Sequence, residues 1–160
     1  MSDERQVAQV LARYVRAADH RDAAAMSALF VADGVVEIFY NRNGTPEKIA
    51  ELTGAEAIGN AVAGMMEAHP PLGWSHHTTH DHIIEVLGDD ATLDAQFVVF
   101  NTVGLARPDG GWPQGASGAQ GTITPIESGY YRPRLRRIDG VWKIVRHHII
   151  LDQPMAFPGS

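Results

Sequence analysis

The sequence predicts an α+β domain in which helices cover one face of a curved, mostly antiparallel sheet. Three observations predict it. Apolar residues at helical spacing lie almost entirely before Pro70-Pro71. Four long strand-like segments fill the chain after that point. Short turn signals join those segments in pairs, Gly88-Asp89-Asp90 in one case and Asp139-Gly140 in the other.

Residues 4–20 form an amphipathic helix on the repeat of Val7, Val10, Leu11, Tyr14, Val15 and Ala18. Asp22 is placed to cap a second helix with Met26, Leu29 and Phe30 on its apolar face. Asp33-Gly34 signals a turn, and Val35 to Tyr40 a strand. Asn41 to Leu52 is polar and interrupted by Gly44 and Pro46, so a loop is expected there. Thr53 and Glu56 have the spacing of a capping box, with Ile58, Val62, Met65 and Met66 continuing a third helix that Pro70-Pro71 ends. The strands expected next are Ser75–Leu87, Ala91–Val103, Ser128–Ile138 and Val141–Leu151. Residues 105–122 are rich in glycine and proline and form a long loop, a length usually tied to function or mobility. No repeat or second domain is visible. The expected organisation is one domain over 1–160, with its core at about 5–151 and a tail at 152–160.

A chain of 160 residues buries a core without metal or disulfide help. It has no cysteine, which removes disulfides, thiolate metal sites and cysteine nucleophiles and fits a reducing, cytoplasmic setting. No apolar signal core follows the charged start, and no apolar run is long enough to cross a bilayer. A net charge of −6 argues against a nucleic-acid partner. The one dense basic run, Arg132 to Arg137, suits a strand that shows arginines to solvent or to a second subunit. Phosphate-cradling, dinucleotide and nucleophile-elbow motifs are absent, and nothing calls for a cofactor.

Chemistry points to the stretch from Trp74 to His82, which holds four of the eight histidines. Histidine changes protonation state near neutral pH and so suits proton transfer. Asp19, at the end of the first helix, is a possible acidic partner. A carboxylate bonded to one imidazole nitrogen fixes the tautomer and frees the other nitrogen to take a proton. The plain alternative is that Asp19 ends a helix and His77 is an ordinary strand residue. Tyr14 is either a core tyrosine or a donor to substrate oxygen. His76, His80 and His82 share a face if the strand is regular, with His77 on the other. His80 and His82, with His147 or His148, are the candidates for a metal site, against a polar outer face. Tyr131 and Arg137 share a face of one strand. Tyr131 is a pocket candidate, and Arg137 pairs either with a substrate carboxylate or with a surface acid. Phe39, Met65, Met66, Phe97 and Phe100 are core or pocket wall, and Trp142 is core.

Several of these motifs, in order, resemble the SnoaL-like branch of the nuclear transport factor 2-like superfamily. Tyr14, Asp19 and Asp22, followed by Leu29-Phe30 and Asp33-Gly34, resemble its opening. Gly54 and Ile58 resemble its third helix. His77 with Ile84-Glu85-Val86-Leu87-Gly88-Asp89 resembles its first long hairpin. Gly129, Tyr131, Leu135, Arg137, Gly140, Trp142 and Ile144 resemble its closing hairpin. The resemblance implies a cone-shaped, cystatin-like α+β roll around an apolar pocket. It also implies an Asp–His pair at Asp19 and His77, as in the scytalone dehydratase, bile-acid dehydratase and dehydrochlorinase members, and a tyrosine at Tyr14, as in the bile-acid enzyme. Asn101 lies near the place where some members carry a second acid–base group. Pro133 stands where Asp or Asn is common.

The expected protein is therefore a cofactor-independent lyase or isomerase, dehydratase-like, acting on a small cyclic or polycyclic apolar substrate. Asp19, His77 and Tyr14 are its expected catalytic residues. Asn101, Tyr131, Phe39, Met66, Phe97 and Arg137 are expected to bind substrate. The alternatives are a non-catalytic ligand-binding or scaffold protein of the same fold, and a metal-binding protein using strand histidines. A homodimer or homotrimer is expected, by resemblance.

Overall fold

The computed structural model describes residues 1–157. Its element order is α1 (Asp3–His20), α2 (Ala23–Ser27), β1 (Phe30–Arg42), β2 (Thr45–Thr53), α3 (Ala55–Gly64), β3 (Gly73–Leu87), β4 (Asp90–Gly104), β5 (Gly121–Ile138) and β6 (Val141–Leu151). The strands make one six-stranded sheet in the order β2-β1-β6-β5-β4-β3. Every neighbouring pair is antiparallel except β1 and β6, which run parallel. Among the described residues no helix is long and apolar enough to cross a membrane.

Local chemistry explains the helix ends. Ser2 caps α1 by accepting from the Arg5 N–H, and Asp3 and Glu4 place negative charge in the first turn. Arg21 closes α1 in the left-handed conformation, with its N–H and that of Asp22 returning to Ala17 and Ala18. Asp22 caps the short α2 through the Ala25 N–H. The expected capping box at Thr53 does not form. Gly54, at φ 100°, is the N-cap of α3, and no side chain bonds there. That helix ends at Gly64, so Met65 and Met66 lie beyond it.

The strands also differ from the expectation. The expected loop at Asn41–Leu52 is largely β2, paired along β1 through an Asn43-Gly44 turn with both residues at positive φ. Asp33-Gly34 makes no free turn. It sits in an irregularity of β1, which begins at Phe30. β5 begins at Gly121, because it pairs with β4 out to Gly104. The irregular loop is therefore 105–120.

Bulges bend this sheet and re-aim its side chains. In β3 the register shifts between His80 and Ile83, with Asp81 at φ 53°. Before the shift Ser75, His77 and Thr79 share the inner face, and after it Ile84 and Val86 pack inward. In β5 the shift opposite Val99 and Phe100 leaves Ile126 without a partner and sets Glu127 on the inner side with Gly129 and Tyr131. The inner face packs against α1 and α3 through Leu11, Ile58, Phe97, Leu135 and Ile144. On the outer face Glu37 is buried and clamped by Arg146, by Lys48 at 3.0 Å and by His148 at 3.2 Å.

Candidate active site

The inner face and the helices enclose a chamber of about 390 Å3. Its wall is mainly Met26, Val36, Ile38, Leu52, Ile58, Val62, Met66, Ile126 and Ile149. Tyr14, His77, Glu127 and Tyr131 bring polar atoms to it. Met155, Ala156 and Phe157 also line it, so the expected tail folds onto the chamber as far as it is described. The last residues of that tail, 158–160, lie outside the described residues.

Asp19 reaches His77 because α1 ends beside β3, and His77 borders the chamber because inner parity on β3 turns its ring inward. His77 Nδ1–H donates to Asp19 Oδ1 at 2.5 Å. The His77 backbone N–H donates to both carboxylate oxygens at 3.1 Å, and the Ser75 hydroxyl donates to Oδ1 at 3.2 Å. Ser75 shares the inner face of β3 two residues before His77. Burial alone would raise the Asp19 carboxyl. The hydrogen bonds and charge of His77, with the Ser75 hydroxyl, outweigh that and hold it below its ordinary value. Because Nδ1 carries the proton donated to Asp19, Nε2 is left as the acceptor nitrogen at the chamber border. His69 anchors the same corner by donating from Nε2 to the Asp19 carbonyl at 2.7 Å, with its ring stacked on Trp74.

Two tyrosines line the same chamber. Tyr14 meets Tyr131 edge-on at 5.6 Å between ring centroids. Phe97 stacks flat beneath Tyr131 at 4.1 Å. Neither hydroxyl has a hydrogen-bond partner among the described residues. Burial, followed by the nearby Glu127 carboxylate, raises the Tyr14 hydroxyl above its ordinary value, and burial does the same to Tyr131. Both therefore stay protonated donors at neutral pH. Behind them lies His147, fully buried, with neither ring nitrogen bonded and its ring 4.7 Å from that of Tyr14.

The structure brings together Asp19, His77, Tyr14, Tyr131 and Met66 from the sequence expectation. It does not bring the others to the chamber. Phe39 points to the outer face against His148, because Val36 and Ile38 take the inner positions of β1. Phe97 is core that supports Tyr131. Asn101 has inner parity but is exposed near the end of β4, opposite Ser75 and Thr124. Arg137 lies about 20 Å along β5 from Tyr131, at the strand's rise per residue. There it binds Asp3 and Asp89, each at 2.8 Å, over the Trp142 ring. The metal candidates separate as well. The β3 bulge breaks the alternation of His80 and His82, His147 is core, and His148 faces Glu37. Among the described residues no group of three or more His, Asp or Glu side chains is placed to hold a metal ion.

A curled sheet capped by helices, with an acid and an imidazole at the edge of an apolar chamber, defines a class of helix-capped sheet cones. Within it, this chain belongs to the SnoaL-like domain family, whose model matches residues 1–148. No curated protein matches the chain. The structure is similar to an NTF2-like protein with a cystatin-like fold from Novosphingobium aromaticivorans, at 26% identity and TM-score 0.64, covering 96% of this chain and 84% of that one. It is similar to the β subunit of a candidate aromatic-ring-hydroxylating dioxygenase from the same organism, at 20% identity and TM-score 0.68, covering 95% and 90%. It also resembles a candidate scytalone dehydratase from that organism, at 17% identity and TM-score 0.58, covering 96% and 89%.

Proposed function

We propose that the protein is a lyase or isomerase that abstracts a proton from carbon in a small cyclic or polycyclic substrate, using its own side chains. One observation carries the reading: the 2.5 Å contact of His77 Nδ1 with Asp19 Oδ1 at the border of an apolar chamber. Asp19 holds the ring in one tautomer and stabilises the imidazolium that forms. His77 Nε2 takes a proton from a carbon beside a carbonyl. The Tyr14 and Tyr131 hydroxyls donate to the carbonyl oxygen as it gains enolate charge. Tyr131 takes the part expected of Asn101.

The test is exchange of the protons next to the carbonyl of tetralone, followed by NMR in D2O. Exchange by the protein is expected, with His77→Ala lowering the rate by about 10²–10⁴, the usual contribution of a positioned base. Binding of tetralone should survive in that variant. The similarity to the β subunit of a candidate dioxygenase supports a second reading, a chamber that binds without reacting. Saturable binding with no exchange above buffer would favour it and end the first.

A further inference from the structure

Glu127 lines the same chamber as His77, two strands away on the same face of the sheet. His77 pairs with Val99, and Val99 pairs with Glu127, so the three side chains leave the sheet in one row on one face. Two strand spacings separate the ends of that row, about 9–10 Å at the backbone. A substrate C–C–O unit hydrogen-bonded at each end spans on the order of 7 Å, the same order as that backbone separation. The bulge at Ile126 is what turns Glu127 inward. Its carboxyl has no hydrogen-bond or ion-pair partner among the described residues, whereas Asp19 is bonded by His77 and Ser75. The polar groups around it are His77 on β3, Tyr131 on its own strand, and Tyr14 and Asp19 on α1. An unpaired carboxyl at an apolar wall is costly as an anion. Burial accordingly raises Glu127 above its ordinary value, with the charge of His77 pulling the other way.

We infer that Glu127 is the general acid of the reaction, giving its carboxyl proton to a hydroxyl leaving group on the carbon next to the one His77 deprotonates. This rests on His77 being the base and narrows the reaction to dehydration of a cyclic β-hydroxy ketone. The step balances. The C–H bond breaks and its proton goes to His77 Nε2, while its electron pair forms the C=C bond. The C–O bond breaks, and the hydroxyl leaves with the Glu127 proton as water. His77 imidazolium then returns a proton to the Glu127 carboxylate through solvent, resetting both groups.

The experiment compares wild type with Glu127→Gln on three probes: tetralone bearing a β-hydroxyl, tetralone bearing a β-acetoxy group, and plain tetralone. The first two yield naphthol, read by fluorescence, and the third reports proton exchange. Acetate leaves without needing a proton, so the acid matters only for the hydroxyl. The variant should lose about 10²–10⁴ in rate on the hydroxyl probe. It should lose less than about tenfold on the acetoxy probe and keep exchange, which also shows it folded. Equal losses on both leaving groups, or no loss on either, would overturn the assignment. Wild type that exchanges but never eliminates the hydroxyl overturns it while leaving His77 as base. Wild type that does neither sinks both readings.

Discussion

His147 is a buried imidazole with no partner, and its replacement by leucine should make the protein more acid-resistant. An unfolded histidine titrates near 6.5, and burial, with a smaller contribution from His148, lowers His147 to about 3. Between those two values the unfolded chain holds a proton that the folded chain does not. Stability therefore falls as the pH drops through this window. Integrated, the loss is about 3 kcal/mol at pH 4.5 and approaches about 5 kcal/mol at pH 3. Above pH 7 the histidine still leaves two polar atoms unsatisfied, a cost of about 1–3 kcal/mol, against which leucine forfeits the ring contacts with Tyr14 and Tyr131. His147→Leu should thus lie between equal stability and a gain of about 2 kcal/mol at pH 7.5, with a further gain of about 3 kcal/mol at pH 4.5. Urea unfolding of both proteins at both pH values measures this, and taking the difference between them cancels every other titrating group. If the difference between variant and wild type is the same at the two pH values, the reasoning is refuted, because His147 is then not a neutral buried group.

Asp19→Asn leaves the His77 ring N–H, the His77 backbone N–H and the Ser75 hydroxyl facing an amide in place of a carboxylate. We expect tetralone exchange to fall by about 10²–10⁴. The Asp19 carboxyl is held low when folded, so the stability it contributes is whole above its ordinary 3.8 and lost as the pH falls further. The variant should lack that part of the acid slope in a pH series of urea midpoints. Gly129→Ala puts a Cβ 1.9 Å from the Ile150 carbonyl oxygen and 3.1 Å from the Phe97 ring, both in the core of the sheet. A loss of roughly 3–5 kcal/mol is expected by chemical denaturation, and wild-type stability would mean that β5 and β6 do not pack this closely at Gly129. Arg137→Ala removes the ion pairs to Asp3 and Asp89 and the contact over Trp142, all far from the chamber, so exchange should be unchanged; a large fall in turnover would restore it as a substrate residue.

Locally determined features were readable from the chain. The repeat from Val7 to Ala18 specifies α1, and Asp139-Gly140 specifies the β5–β6 turn, because each depends on neighbours in sequence. β2 was hidden by Glu47, Lys48 and Glu51. It is an edge strand, and edge strands carry charge to discourage pairing with other chains. Its Asn43-Gly44 turn was the signal that could have exposed it. The β3 bulge defeated the alternation argument for His80 and His82, since one extra residue exchanges the faces. Asp19 and His77 were found by motif likeness, while their contact depends on how α1 docks on β3. Glu127 was missed because the strand seemed to start at Ser128. Extending it upstream from Tyr131 at alternate positions reaches Glu127, but its facing of His77 follows only from register across three strands. The closure of the chamber by Met155 to Phe157 has no local sequence signal.

β6, the last strand in the chain, is also an inner strand of the sheet, held on one side by β1 and on the other by β5. The β1–β2 ribbon gains its link to the rest of the sheet only through this parallel seam. During synthesis, therefore, the ribbon and the long β3–β4–β5 meander must wait as separate pieces until residues near Leu151 have left the ribosome. The chamber takes walls from both pieces, so it is completed only once β6 has joined them. A product cut short before Val141 should form no chamber, only two sheet fragments with bare edges and a tendency to aggregate.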